Sequence, residues 1–207
     1  MTQPNWKMQL AMWMTFARIA IAPFIAVVLH YFNEKTVIIA TLLFMLAGIT
    51  DYFDGYFARK FNAESTLGKL MDPIADKVLV MSTLIMLVPA HRVDPFMIIL
   101  LISRDIVIGG VRAAAAADSL VIGAKAFGKW KTGFQMISIP MVLVAAAIPA
   151  HLLTPFFPEI PLDHSFAIGG YYGLWISVFL SLISGYQYCR LYSQARKTSI
   201  DTLSARL

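Results

Sequence analysis

The chain has 207 residues, of which 58% are hydrophobic and 14% are charged, whereas soluble globular domains have about 25% charged residues. With a mean hydropathy of +0.69, this composition excludes an ordinary water-soluble domain and predicts an all-α polytopic membrane protein. The single cysteine, Cys189, excludes an internal disulfide, and no histidine or cysteine spacing is typical of a zinc site. We also expect no nucleic-acid partner.

Six apolar stretches of about 20 residues are predicted to cross the membrane as helices. They comprise residues 10–32, 36–58, 69–89, 95–117, 131–150 and 169–189. Residues 1–13 contain two tryptophans and a lysine, which predicts an interfacial segment before the first span. That span is too long for the core of a signal peptide and lacks a small-residue cleavage site, so we expect it to be retained. The chain 1–207 is therefore predicted to form a single membrane domain.

Lysines and arginines are distributed unevenly between the two predicted sides of the membrane. One side has only Lys35 and Arg92, and four further basic residues lie within spans, namely Arg18, Lys77, Arg104 and Arg112. The other side has eleven: Lys7, Arg59, Lys60, Lys69, Lys125, Lys129, Lys131, Arg190, Arg196, Lys197 and Arg206. Because basic loops stay in the cytoplasm, we expect an inner-membrane protein with both termini and its acidic segment on the cytoplasmic side.

Four aspartates interrupt the apolar pattern where the second predicted helix ends and the third begins. Asp51 and Asp54 are spaced i and i+3, which places them on one helical face. Asp72 and Asp76 are spaced i and i+4, and share a face if the third helix has already begun there. Pro73 leaves this open, because it either lies within a continuing helix or occupies the first helical position.

Four neighbouring carboxylates at low dielectric repel one another strongly. Two divalent cations would balance their charge, and oxygen-only ligands favour Mg²⁺ or Mn²⁺. An ion-paired core with Arg59 and Lys77 is an alternative, although two cations do not neutralise four acids. A cation or proton transporter is another, although the sequence has no internal repeat. An intramembrane prenyltransferase would need a third acid at the position of Ala58.

Other residues of this segment are suited to contact a ligand. Gly55 and Ala58 are small and allow close approach to the backbone, or they serve only helix packing. Arg59 lies one turn further and can bind phosphate oxygens. Ser65 and Thr66 either cap the third helix or donate hydroxyl groups to a ligand.

The spacing D-x2-D-G-x2-A-R-x8-G-x3-D-x3-D resembles the signature of the CDP-alcohol phosphatidyltransferases. The eight positions are Asp51, Asp54, Gly55, Ala58, Arg59, Gly68, Asp72 and Asp76. The resemblance implies that the four aspartates bind two divalent metals, that these hold the diphosphate of a CDP-alcohol, and that Asp76 is also the catalytic base. It further implies that the CDP-lipid is contacted by Gly55, Ala58, Arg59, Gly68, Thr15, and Ser65 or Thr66. A homodimer is also expected from it.

Further stretches resemble the subfamily that makes phosphatidylglycerol phosphate, and they include TFARIAIAP, DPIADK, SRDIVIGGVR and GKWKTGFQM. This resemblance implies transfer of the phosphatidyl group from CDP-diacylglycerol to sn-glycerol 3-phosphate. Another acceptor, such as inositol phosphate, serine or phosphatidylglycerol, remains open. A dianionic acceptor needs cations beside it, for which the candidates are Arg104, Arg112, Lys129 and Lys131. The alternatives are an internal Arg104–Asp105 ion pair, and a membrane anchor for the two lysines.

Overall fold

The computed structural model describes residues 6–60, 66–118, 126–147 and 162–204, and in these ranges it contains helices and turns but no strand. The helices are α1 (Trp6–His30), α2 (Glu34–Lys60), α3 (Thr66–Leu87), α4 (Pro95–Ala117), α5 (Ala126–Ala147) and α6 (Leu162–Ser204). Each of the six predicted spans therefore corresponds to one helix. The predicted all-α architecture is confirmed for the described residues.

Local hydrogen bonds fix where α2 begins. The backbone N–H of Thr36 donates to Asn33 Oδ1 at 3.0 Å, and the backbone N–H of Asn33 donates to Thr36 Oγ1 at 2.9 Å. This reciprocal pair is a capping box, which satisfies amide groups that have no partner inside the helix. The helix accordingly begins at Glu34, two residues before the apolar stretch from which its start was predicted.

Two compact units are distinguished by their internal contacts. The first consists of Met1–Asp94 and Met136–Tyr171, and the second consists of Pro95–Gln135 and Tyr172–Leu207. Helices α5 and α6 contribute residues to both units. The single domain expected from the sequence stays a prediction, and the two units are described separately below.

In the first unit, α1 packs against both α2 and α3. The side of α1 that faces them is buried and mostly apolar, and residues recur along it every three or four positions: Thr15, Arg18, Ala22, Ile25 and Leu29. A matching buried face follows α2 at Val37, Ala40, Phe44 and Ala47. Continuing that face by one turn reaches Asp51. The helical period thus places Thr15 and Arg18 of α1, and Asp51 of α2, at the end of the same apolar core.

The buried face of the second unit includes charged residues. On α4 it comprises Met97, Ile98, Leu101, Asp105 and Ile108, and on α6 it comprises Leu174, Ser177, Val178 and Ser181. Among the described side chains of α5 in this unit, Lys131 and Gln135 are polar and buried. Because buried charge is costly without a partner, the lysine and the aspartate are expected to be bonded, and their contacts are given below.

Many large apolar side chains are exposed on the outer faces of the helices, for example Phe24, Leu42 and Ile106. Such surfaces mark contact with lipid or with another apolar partner. Two described stretches, Trp13–His30 and His164–Thr198, are long and apolar enough to cross a membrane by length and composition.

Candidate functional site

The acidic residues of the first unit meet a cation from α1. Nη1 of Arg18 forms an ion pair with Oδ1 of Asp51, and Nη2 of Arg18 lies 3.5 Å from Oδ1 of Asp72. Thr15, one turn before Arg18, donates a hydrogen bond of 2.5 Å to the same oxygen of Asp72. Helices α1, α2 and α3 therefore converge on one polar cluster, and α1 contributes its donors.

Burial within this cluster is unequal. The side chain of Arg18 is 4% exposed, whereas those of Asp51 and Asp72 are 40% and 51% exposed. The guanidinium thus lies beneath carboxylates whose outer parts remain accessible. Among the side chains that the structure describes, the ion pairs of this cluster join one guanidinium to two carboxylates, so the cluster can still attract a cation from outside.

The ion pair differs from the one considered at the sequence level. The alternative of an ion-paired core named Arg59 and Lys77 as the cations, whereas the cation that the structure describes beside Asp51 is Arg18. The side chain of Lys77 is exposed, and that of Arg59 lies outside the described residues. Arg18 is thus a residue that the motif did not identify. Its signal in the sequence was a charge inside an apolar span, a feature that is usually functional.

Helix α3 is continuous through Pro73, because it runs from Thr66 to Leu87. Of the two alternatives, a continuing helix is therefore observed. Asp72 and Asp76 consequently lie one turn apart on the same face, with Asp76 half-buried and Asp72 exposed.

The chemistry of the expected metal ligands suits a hard divalent cation, since all are carboxylates on neighbouring helices. Among the described side chains, no group of three or more histidine, cysteine, aspartate or glutamate residues is arranged to hold a metal ion. The side chain of Asp54 lies outside the described residues. The four-aspartate ligand set stays a prediction.

The residues expected to contact a CDP-lipid are described only in part. Thr15 is bonded to Asp72, as given above. Ser65 lies outside the described residues, and the others lie on α2 and α3 with no described side-chain placement, namely Gly55, Ala58, Arg59, Thr66 and Gly68. Their roles stay predictions.

In the second unit, two of the expected acceptor-binding cations share one buried carboxylate. Oδ1 of Asp105 accepts from Nζ of Lys131 at 2.8 Å and from Nη1 of Arg104 at 2.9 Å. Arg104 also donates through Nε to the backbone carbonyl of Ser181 at 3.0 Å, and through Nη2 to Oγ of Ser184 at 3.1 Å. All three guanidinium nitrogens are therefore engaged, and this network joins α4, α5 and α6.

These contacts correspond to the alternative in which Arg104 and Asp105 form an internal ion pair. Lys131, considered as a membrane anchor, is instead buried beside that pair. Binding of an acceptor by Arg104 and Lys131 stays a prediction.

The other two acceptor candidates have different surroundings. Arg112 is exposed, and its guanidinium carbon lies 5.5 Å from the centre of the Tyr188 ring. A cation over an aromatic face is attracted by the ring quadrupole, which restricts the arginine without occupying its hydrogen-bond donors. The side chain of Lys129 lies outside the described residues.

An apolar cavity of about 460 Å³ lies in the first unit beside α2. Its walls are almost entirely hydrocarbon and come from α2 and α5: Phe44, Met45, Gly48, Ile49, Phe53, Met136, Ile137 and Pro140. A methyl group at Gly48 would lie 3.7 Å from Met136 Sδ, which is an ordinary van der Waals contact, so a larger side chain is needed to fill the cavity. The lining along α2 runs from Phe44 to Phe53, a stretch of ten residues and roughly 14 Å, and reaches past Asp51 in sequence.

Comparison with known proteins identifies related sequences. The family model described as CDP-alcohol phosphatidyltransferase matches residues 8–183. A Bacillus subtilis protein is 35% identical over 197 residues, covering 89% of this chain and 95% of that protein. Proteins of Rickettsia bellii and Rickettsia typhi are 36% and 33% identical over 183 residues, which cover 87% of this chain and 94% and 96% of those proteins. All three relatives are named CDP-diacylglycerol--glycerol-3-phosphate 3-phosphatidyltransferase.

Proposed function

The chain belongs to the CDP-alcohol phosphatidyltransferase family, a family of membrane-integral enzymes, and we propose that it transfers the phosphatidyl group of CDP-diacylglycerol to sn-glycerol 3-phosphate. The products are phosphatidylglycerol phosphate and CMP. The observation that carries this proposal is the shared name of relatives that are 33–36% identical over nearly the whole chain. The eight fixed positions of the aspartate motif support phosphatidyl transfer from a CDP-alcohol, and the stretches that resemble the subfamily support the acceptor.

In this reaction the acceptor hydroxyl oxygen bonds to the lipid-side phosphorus, and the bond from that phosphorus to the bridging oxygen of CMP breaks. Asp76 accepts the hydroxyl proton as general base. Its half-buried position on α3, one turn after Asp72, supports this role. A carboxylate placed beside the reacting oxygen converts a weak alcohol nucleophile into a competent one.

The family uses divalent metal cations, and the four aspartates are the residues that would hold two ions, Mg²⁺ or Mn²⁺. When bound, such ions neutralise phosphate charge and orient the diphosphate for displacement. The accessible outer parts of Asp51 and Asp72 support this assignment.

The chemistry of the acceptor phosphate and of the acyl chains indicates which residues would bind them. The acceptor phosphate is a dianion, and Arg112 offers an exposed guanidinium held by Tyr188. The apolar cavity is suited to one acyl chain of CDP-diacylglycerol. Its lining residues on α2 lie on both sides of Asp51 in the sequence. A lipid anchored by its diphosphate at the aspartates would thus have hydrocarbon surface within reach along the same helix.

The lysine and arginine distribution supports a placement in the inner membrane with the aspartates at the cytoplasmic side. Removing the buried Lys131 from the count leaves ten basic residues on that side against two on the other. This placement gives the site access to water-soluble glycerol 3-phosphate. The protein is proposed to act as a homodimer.

An acceptor-profile assay tests the function. The purified protein would be incubated with CDP-diacylglycerol, Mg²⁺ and one radiolabelled acceptor at a time: sn-glycerol 3-phosphate, inositol phosphate, serine or phosphatidylglycerol. We expect a lipid product and stoichiometric CMP with glycerol 3-phosphate. A product with another acceptor and none with glycerol 3-phosphate would refute the acceptor assignment.

Metal dependence is tested in the same assay. EDTA should abolish turnover, and added Mg²⁺ or Mn²⁺ should restore it, because the diphosphate charge is otherwise uncompensated. Turnover that persists after complete chelation would contradict the two-metal assignment.

A further inference from the structure

Arg18 occupies an unusual position for an arginine in an apolar helix. Its side chain is 4% exposed, it contacts carboxylates from two different helices, and its Nε has no hydrogen-bond partner among the residues that the structure describes. A guanidinium remains charged at any pH at which the protein is folded. The position therefore holds a permanent positive charge beneath two of the expected metal ligands.

We infer that Arg18 is a fixed counter-cation that competes with divalent metal ions for Asp51 and Asp72, and thereby sets the metal affinity of the site. This inference rests on the proposed metal site. A carboxylate oxygen that accepts from Arg18 is a weaker metal ligand, because part of its charge is already neutralised. A divalent ion bound to the same carboxylates would also be repelled by the guanidinium nearby.

The geometry favours competition over a purely structural ion pair. The two ion pairs join groups of unequal exposure, since Arg18 is buried and both carboxylates are partly accessible. The aspartates can therefore bind an ion from outside while the arginine stays in place below. Thr15, which lies on α1 with Arg18, donates a hydrogen bond to Asp72 through a neutral hydroxyl group. The positive charge beside Asp72 therefore comes from Arg18, and a substitution can remove it without removing that hydrogen bond.

The sign of the effect distinguishes the two roles. If Arg18 only ordered the carboxylates, its removal would loosen them and weaken metal binding. If it competes, its removal eliminates one positive charge and strengthens metal binding. Even at the dielectric constant of bulk water, about 80, one unit of charge roughly 6 Å from a divalent ion corresponds to a change in affinity on the order of tenfold.

Mn²⁺ binding to the purified full-length protein, without lipid substrate, provides the test. Electron paramagnetic resonance measures free Mn²⁺ during a titration and requires no turnover. Arg18→Met keeps an unbranched apolar stem and removes the charge, whereas Arg18→Lys keeps a charge. Lys77→Met is the matched control, because it makes the same change in net charge at an exposed side chain one residue from Asp76, where solvent screens the effect.

We expect Arg18→Met to bind Mn²⁺ about tenfold more tightly than the wild type. The affinities of Arg18→Lys and Lys77→Met should lie within about twofold of the wild type, because the first keeps the charge and the second removes a charge that solvent already screens. Unchanged or weaker binding by a folded Arg18→Met protein would overturn the inference. If that variant does not fold, side-chain nitrogen NMR of the wild type replaces it. Addition of Mg²⁺ should then shift the Arg18 Nη resonances, and an absence of any shift would overturn the inference.

The outcomes separate this inference from the proposed function. A wild type that binds Mn²⁺ and releases CMP, combined with an Arg18→Met protein of unchanged affinity, removes only the role of Arg18. A wild type that binds no Mn²⁺ removes the metal site itself and this inference with it.

Discussion

Replacing Asp105 by asparagine tests whether the buried network of the second unit stabilises the protein. The carboxylate accepts from Lys131 at 2.8 Å and from Arg104 at 2.9 Å, through a single oxygen. Asparagine has nearly the same shape and retains a carbonyl oxygen, so the packing is preserved. The variant therefore isolates the loss of one negative charge beside a buried lysine and a half-buried arginine.

The expected effect is large. Removing one partner of a buried ion pair costs about 3–5 kcal/mol, because the remaining charge stays buried without compensation. In a chain of this size each kcal/mol shifts the midpoint of thermal unfolding, Tm, by about 2–4 °C. Asp105→Asn should accordingly lower Tm by roughly 6–20 °C.

Thermal unfolding of the purified protein in one detergent, followed by circular dichroism, measures this shift. The double variant with Asp105→Asn and Lys131→Met should recover part of the loss, because it also removes one uncompensated cation. Asp118→Asn is the matched control, since its contact with Arg196 at 3.9 Å joins two exposed side chains, and such pairs contribute about 1 kcal/mol or less. A Tm for Asp105→Asn within 2 °C of the wild type, or a double variant no more stable than the single one, would refute the reasoning.

Four further substitutions probe other features. Gly170→Ala should lower stability by about 1–3 kcal/mol, because the new methyl would lie 2.9 Å from a backbone nitrogen and 3.0 Å from a backbone oxygen. Gly169→Ala meets only the mobile end of a methionine and should change Tm little; equal losses in the two would contradict this explanation. Gly48→Leu, which fills the apolar cavity, should raise KM severalfold for long-chain CDP-diacylglycerol but not for a six-carbon analogue, and a parallel rise for both would exclude acyl binding there. Asp76→Asn should abolish CMP release while CDP-lipid binding, measured by equilibrium dialysis, persists; normal turnover would exclude the base role.

The helices were predictable because their apolar stretches are long. The fourth predicted span, 95–117, coincides with α4 although three charges interrupt it. Helix ends were less predictable, because hydrogen bonds rather than hydropathy set them. The capping box at Asn33 starts α2 before its apolar stretch. Helix α6 continues to Ser204, well beyond the predicted limit at residue 189, because polar residues also propagate a helix once it is nucleated.

The candidate site was predictable where the sequence repeats a helical period, and less so where it depends on tertiary contact. The spacing of Asp72 and Asp76 predicted a shared face, which the continuity of α3 provides. The partner of Asp51 was not predictable by spacing, since Arg18 lies 33 residues away on another helix. Lys131 was counted as a loop cation because its burial depends on Asp105, which no local pattern connects to it.

The length of α6 has a consequence for the surroundings of the protein. Its 43 residues extend about 65 Å, whereas the hydrocarbon layer is about 30 Å thick. A helix perpendicular to the bilayer would therefore leave roughly 35 Å in the lipid headgroups or in water, and a tilted helix would leave less. Since its carboxyl-terminal turns are the polar ones, they form a helical extension outside the membrane. A spin label on this extension would report the tilt of the transmembrane portion from the aqueous side.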